Sequence, residues 1–192
     1  MDVRDPSVVA RAAGGDRDAF RALVEFHSRY IYSLAHRMTG NAQDAEDVVQ
    51  EACVRGLRYF GGFRGDNART WFLAVVRNAC FDWLRRNRPA EVTVVDERTL
   101  EAFPAPARLV PEQHAIERAE ALALSQAVAA LPLTFREVVI LRELEELSYK
   151  EIARIADIPI GTVMSRLARA RALLAHSPLL RTVGESAAGG TR

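Results

Sequence analysis

The sequence predicts an all-α protein made of two small helical domains joined by a flexible linker. Apolar residues recur at three- and four-residue spacing along most of the chain, and only the stretch at 91–95 alternates as a short strand would. A stretch with four prolines interrupts the helical pattern near the middle. We therefore predict a first domain at 7–88, a linker at 89–111, a second domain at 112–176 and a disordered tail at 177–192.

Three helices account for most of the first domain. Asp16 precedes a stripe of apolar residues that ends at Gly40, a residue type common just after a helix C terminus. A second helix is predicted over 43–59 and a third over 68–87. The glycines of the segment 60–67 predict a loop between these two helices.

The second domain contains the pattern of a helix-turn-helix motif. Thr134 is predicted to cap one helix, and the residues SYKE at 148–151 form a capping box that opens a short helix over 149–156. Residues 157–160 predict a turn, and a longer helix follows over 161–175. A short helix, a tight turn and a longer helix are the order of a helix-turn-helix.

Charge is distributed unevenly, although the formal net charge is only +1. Residues 60–88 carry six arginines against two acidic residues, whereas residues 91–120 carry seven acidic residues against three arginines. The helix at 161–175 has three arginines and no acidic residue. Two basic segments separated by an acidic connector predict two separate anion-binding surfaces.

The last helix has the composition of a DNA recognition helix. Its apolar residues Val163, Leu167 and Ala170 share one face, so the polar residues lie on the other. Short polar side chains near the start of a recognition helix lie close to base edges, and arginines reach guanine or phosphate. The alternative is a solvated bundle face, but the capping box and turn favour DNA binding. The predicted DNA-facing residues are Thr162, Met164, Ser165, Arg166 and Arg169.

Aromatic residues and arginines alternate in the loop at 60–67 and the helix after it. Aromatic surfaces interleaved with cations suit unpaired bases. The alternative is that the aromatic residues belong to the core, and we expect this of at least half of Trp71, Phe72, Phe81 and Trp83. The candidate nucleic-acid residues are Phe63, Arg64, Asn67, Arg77, Asn78, Asp82, Arg85 and Arg86.

The helix at 43–59 has a charged face formed by Asp47, Gln50, Glu51 and Arg55. Acidic residues in a first turn stabilise the helix dipole, and that is a sufficient structural explanation. The same face could instead dock a protein partner. Periodicity alone leaves both interpretations open.

The sequence contains no motif typical of an enzyme, a metal site or a cofactor site. It lacks a phosphate-binding glycine loop and an HExxH motif. Cys53 and Cys80 are far apart, so we expect two buried thiols and no metal. No apolar run approaches the length of a membrane span, and acidic residues near the N terminus are not typical of a signal peptide. We expect a cytoplasmic protein that is not an enzyme.

The motifs, in this order, resemble the extracytoplasmic-function (ECF) sigma factors of bacterial RNA polymerase. The resemblance extends from about Asp16 to Ala175 and rests on RMTGNAQDAEDVVQEACVR, TWFLAVVRNACFDWLRR, LPLTFREVVILRELEELSYKEIA and IPIGTVMSRLARAR. It implies a sigma region 2 that docks on the polymerase clamp and opens the minus-ten element. It also implies a sigma region 4 that reads the minus-thirty-five element and contacts the polymerase flap.

The resemblance also assigns roles to the candidate residues. It implies that Asp47, Gln50, Glu51 and Arg55 bind the clamp, and that the loop residues Phe63, Arg64 and Asn67 capture an extruded base. Arg77, Asn78, Asp82, Arg85 and Arg86 resemble the rest of the minus-ten surface, and Thr162, Ser165, Arg166 and Arg169 match the minus-thirty-five helix. Family members commonly have lysine where this chain has Met164.

Two further expectations concern partners. The resemblance implies an anti-sigma protein that occludes the polymerase-binding surfaces. The rival hypothesis is a helix-turn-helix regulator that binds its duplex site without polymerase.

Overall fold

The computed structural model describes residues 6–64, 67–92 and 113–180. All regular structure within these residues is helical, which confirms the predicted all-α class. A 3₁₀ turn, Phe60–Gly62, follows the third helix, and a π turn, Ile140–Leu144, extends the seventh. The helices are α1 (Pro6–Ala13), α2 (Arg17–Thr39), α3 (Ala42–Tyr59), α4 (Ala68–Asn87), α5 (Pro89–Val92), α6 (Gln113–Ala130), α7 (Leu133–Val139), α8 (Tyr149–Ala156) and α9 (Ile160–Ala175).

The ends of α2 are set by its flanking residues, as predicted. Asp16 caps the N terminus, because its Oδ1 accepts hydrogen bonds from the backbone N–H groups of Asp18 and Ala19, both at 3.0 Å. Gly40 ends the helix with φ of 83° and donates its N–H to the carbonyl of His36 at 2.8 Å. A residue with a Cβ would be strained in that left-handed conformation.

The first domain packs α1 to α4 around an aromatic cluster. The Phe60 ring is 1% exposed and lies 5.5 Å from Phe20, 4.9 Å from Trp71 and 5.8 Å from Phe72, measured between ring centroids. A Cβ added at Gly56 would lie 3.1 Å from the Phe20 ring, so this glycine allows α3 to approach α2 closely. The cluster fixes where α3 ends and where the loop before α4 begins.

In the helix-turn-helix, α8 has the predicted bounds, and α9 begins at Ile160, one residue before its predicted start. Ser148 accepts the backbone N–H of Glu151, and the Glu151 carboxylate accepts the backbone N–H of Ser148, which confirms the capping box at the start of α8. Asp157 ends α8 in the left-handed conformation with φ of 54°. Val163 and Leu167 of α9 are buried, so the helix presents its polar side outward.

The structure corrects two local predictions and adds one helix. Thr134 does not cap a helix, because α7 begins at Leu133 with Pro132 as its N-cap residue. The first residues of the predicted linker and strand form the short helix α5 instead, since proline is favourable at a first helical position. Helix α1 was not predicted; its buried side chains are Val8 and Ala12.

Other predictions fall partly outside the described residues. Residues 93–111 of the predicted linker and 181–192 of the predicted tail are not among them, whereas 178–180 form a helical turn. Both cysteines are free thiols; Cys80 is buried, Cys53 is half-buried, and desolvation raises the pKa of each. In the described part of the chain, the helices are too short or too polar to cross a membrane.

The two domains lie against each other in this structure. Helix α8 packs on α4, and α7 and the π turn contact α2. Their buried apolar side chains form one continuous cluster, which includes Leu34 of the first domain and Val138 of the second. The sequence predicted the two domains but not this contact between them.

Candidate polymerase and nucleic-acid interface

The charged face of α3 is joined to α4 by arginine side chains. Arg55 donates to Asp82 of α4 at 2.5 Å and also pairs with Glu51 on its own helix. Arg86 of α4 donates to the other oxygen of Glu51 at 2.7 Å. The pKa of Arg55 is raised, chiefly by its hydrogen bond to Asp82. These pairs join two groups of candidate residues, which the sequence treated separately, into one surface.

This α3–α4 surface also contains apolar residues that the sequence analysis missed. Val54 is 49% exposed and lines a shallow depression together with Asp47, Gln50 and Glu51. Leu57 is exposed on the same helix. The signal that would have revealed Val54 is its spacing of three and seven residues from Glu51 and Asp47, which places it on their face of the helix.

The loop before α4 differs from expectation at Phe63. Its ring is 9% exposed and stacks on Phe60 with a centroid distance of 5.2 Å, so it offers little surface to a base in this conformation. Arg64 is exposed and donates to the carbonyls of Gly61 and Phe63. Asn67 caps α4 by accepting the N–H of Thr70 at 3.1 Å. Phe63 is buried because it completes the aromatic cluster around Phe60.

Exposure along α4 varies among the predicted minus-ten residues. Arg85 and Arg86 have side chains that are 65% and 58% exposed. The Arg77 side chain is only 17% exposed, lies 4.0 Å from the centroid of the Phe81 ring and donates to Asn78 at 3.0 Å. The end of α4 is therefore accessible, whereas Arg77 is covered by other side chains.

Helix α9 presents most of its predicted residues outward. Met164 is 54% exposed, so it is not packed between helices in this structure. Ser165 and Arg169 are exposed, Thr162 is half-buried, and the Ser165 hydroxyl donates to the Thr162 carbonyl at 3.1 Å. Arg166 is half-buried, and its Nε has no hydrogen-bond partner among the residues that the structure describes. Its guanidinium is thus partly directed toward the body of the protein.

No metal-binding cluster of histidine, cysteine or acidic residues is found in the described ranges. The candidate residues on α3, α4 and α9 have charged, polar or apolar side chains. Such surfaces suit binding to macromolecules.

Two protein-family models match the chain. Sigma-70 region 2 matches residues 23–90, and Sigma-70 region 4 matches residues 121–174. The first match spans α2 to the start of α5, and the second spans most of α6 through α9. The matches therefore include every candidate residue in both domains.

Two relatives match over nearly their whole length. The RNA polymerase sigma-H factor of Pseudomonas aeruginosa is 37% identical over 186 residues, covering 93% of this chain and 96% of the relative. The ECF RNA polymerase sigma factor SigW of Bacillus subtilis is 32% identical over 180 residues, covering 91% and 96%.

A solved structure has a similar arrangement. The sigma factor RpoE in complex with the anti-sigma factor NepR from Bartonella quintana aligns with a TM-score of 0.62 and 26% identity, over 84% of this chain and 96% of that one. The fold, the two family models and the relatives agree. The chain belongs to the ECF group of the sigma-70 family, the non-enzymatic factors that act with RNA polymerase in transcription initiation, and not to regulators that work without polymerase.

Proposed function

We propose a division of labour between three helices of this sigma factor. Helix α3 binds the polymerase clamp, α4 and the preceding loop bind and open the minus-ten element, and α9 reads the minus-thirty-five element. The observation that carries the proposal is the pairing of Arg55 with Asp82 and of Arg86 with Glu51. Because these pairs join the α3 and α4 faces, a partner bound on α3 lies beside DNA bound on α4.

We propose the domain bounds that the sequence predicts, with sigma region 2 at 7–88, a connector at 89–111 and sigma region 4 at 112–176. The family matches at 23–90 and 121–174 support this division into two domains. Since polymerase and promoter lie in the bacterial cytoplasm, we propose that the chain acts there.

Energetics support the need for polymerase. Opening five base-pair steps costs about 7 kcal/mol at about 1.4 kcal/mol per step. One base stacked on an aromatic ring returns only about 1–3 kcal/mol. The α4 surface alone does not meet this cost, so the partner held on α3 must stabilise the open strands.

Reconstitution tests the proposal. The purified chain is mixed with core RNA polymerase, and run-off transcription is measured on genomic fragments. We expect a stable complex and new transcripts that start at a defined subset of promoters. Failure to associate with core polymerase would overturn the proposal, whereas tight duplex binding by the chain alone would favour a polymerase-independent mode of action.

We also propose regulation by an anti-sigma protein. The support is the relative from Bartonella quintana, whose structure contains the anti-sigma factor NepR. Purification of the tagged chain from uninduced cells should recover a bound protein that competes with core polymerase. Recovery of the chain only on polymerase or alone would contradict this regulation.

Arg166→Ala tests base reading by α9. If Arg166 reaches a guanine, the substitution costs about 1–3 kcal/mol on the cognate promoter and relaxes specificity at one position. The measurement is holoenzyme binding to the promoter and to single-base variants of its minus-thirty-five element. Arg171→Ala is the matched control, because Arg171 lies on the same helix but pairs with Glu143 at 2.6 Å. An equal loss on all sequences would assign Arg166 to phosphate.

Met164→Lys tests whether the exposed Met164 faces DNA. A lysine near a phosphate releases about one more counterion, so the slope of log K against log salt becomes steeper by about 0.9. Ala172→Lys is the control, since Ala172 lies on the same helix about 12 Å further along. Promoter binding by holoenzyme is measured across a salt series. The same slope for Met164→Lys and the unmodified protein would place Met164 away from the DNA.

A further inference from the structure

Glu137 of α7 contacts the proposed minus-ten helix of the other domain. Its side chain is fully buried, and Oε1 accepts a hydrogen bond from Nε of Arg77 at 2.5 Å. Burial raises the pKa of Glu137, and Arg77 followed by Arg166 opposes this rise. A carboxylate of region 4 is thus paired with the guanidinium of Arg77, a residue that we propose binds minus-ten DNA.

A second acidic residue of region 4 makes a matching contact. Glu145, whose side chain is 3% exposed, accepts from Nη2 of Arg69 at 3.1 Å through its carboxylate and at 2.8 Å through its carbonyl. Ser33 of α2 donates its hydroxyl to the same carboxylate at 3.0 Å. Two side chains of region 2, Ser33 and Arg69, therefore donate hydrogen bonds to the buried carboxylate of Glu145.

Arg136 is a cation of region 4 that donates hydrogen bonds to the first domain. It is 6% exposed and donates from Nη1 to the carbonyl of Met38, near the C terminus of α2, at 3.0 Å. It also donates to Glu91 of α5 at 3.4 Å. A cation is favourable at a helix C terminus, where carbonyls have no partner within the helix.

Polar groups this deeply buried are costly unless they are paired. Glu137, Glu145 and Arg136 find partners on region 2, and these contacts lie within a continuous apolar cluster. The α7–α8 side of region 4 is therefore complementary in charge and in shape to the α2–α4 side of region 2.

We propose that region 4 docks on region 2 through Arg136, Glu137 and Glu145, and that this closed state masks Arg77. The masking of DNA rests on the proposed function of α4, whereas the docking itself does not. Nucleic acid can pair with the Arg77 guanidinium only after Glu137 has moved away, and this requires the two domains to separate. A partner that binds the two domains in a separated arrangement shifts the chain toward the open state, in proportion to its preference for that state.

Ser33→Asp tests the docking without altering region 4. It places a carboxylate against Glu145, and two like charges at this distance disfavour the closed state. Ser28→Asp is the matched control, because Ser28 is exposed on the same helix and its hydroxyl donates to the carbonyl of Glu25, within the helix. Small-angle X-ray scattering of the full free chain gives the radius of gyration. We expect Ser33→Asp to be larger by several ångströms and Ser28→Asp to match the unmodified protein.

A second pair of variants tests the acids themselves. Glu137→Gln with Glu145→Gln should also expand the chain, whereas Glu143→Gln with Glu146→Gln should not, since Glu143 and Glu146 are exposed. Circular dichroism checks that each variant keeps its helices. The docking would be overturned if the unmodified chain is already extended. It would also be overturned if neither Ser33→Asp nor the Glu137 and Glu145 substitutions increase the radius of gyration.

Association with core polymerase connects docking to function. If only the open fraction binds, Ser33→Asp raises the apparent affinity by up to the inverse of that fraction, and Ser28→Asp does not. A chain that expands without binding polymerase would overturn the proposed function and leave the docking intact. Expansion with an unchanged affinity of the free chain for a single-stranded minus-ten oligonucleotide would overturn the masking of Arg77.

Discussion

Phe60→Ala is expected to destabilise region 2 by about 3–5 kcal/mol, the usual range for truncating a buried phenylalanine. The Phe60 ring contacts Phe20, Phe63, Trp71 and Phe72 and is 1% exposed. These residues come from α2, the loop and α4, so a smaller side chain leaves a cavity where three elements meet. A loss of this size is comparable with the whole stability of many small domains.

The free energy of unfolding of region 2 is measured by urea denaturation, with tryptophan fluorescence as the signal. The chain has two tryptophans, Trp71 and Trp83, and both lie on α4, so the signal reports region 2 alone. Tyr59→Ala is the control; Tyr59 is the neighbouring residue but 69% exposed, and we expect a change within about 0.5 kcal/mol. Equal effects of the two substitutions would contradict the packing role of Phe60.

Helix boundaries were readable from the sequence because local chemistry decides them. Asp16 and Gly40 bracket α2, and Ser148 with Glu151 opens α8, through contacts within a few residues of the chain. The failure at Thr134 has a local cause as well, since Pro132 takes the N-cap position two residues earlier.

Residue exposure was less predictable, because it depends on packing between distant segments. Phe63 is covered by Phe60, which lies on the other side of two glycines, and Arg77 is covered by Glu137, 60 residues further along the chain. Sequence periodicity places a residue on a face of its own helix but does not say what packs there. Val54 was missed for the converse reason, since an apolar residue on an amphipathic helix is usually assigned to the core.

Polymerase binding at the depression on α3 can be tested with one substitution, at the apolar residue Val54 that lines it. Val54→Asp is expected to weaken core polymerase binding about 30-fold or more, as for the loss of a central interface contact. The reason is desolvation: an aspartate buried beside Asp47 and Glu51 has no partner and repels its neighbours. Val54 is half exposed in the free chain, so stability should change by no more than about 0.5 kcal/mol.

Tyr59→Asp is the matched control for Val54→Asp. Tyr59 lies on the same helix and is more exposed than Val54, but it does not line the depression. Both variants add one negative charge, so a difference between them isolates position from net charge. We expect the Tyr59→Asp chain to bind core polymerase nearly as well as the unmodified protein in a fluorescence-anisotropy titration, and the Val54→Asp chain to require a far higher concentration. If both variants bind equally, polymerase does not contact the α3 depression, and the assignment of Asp47, Gln50 and Glu51 to that interface is wrong.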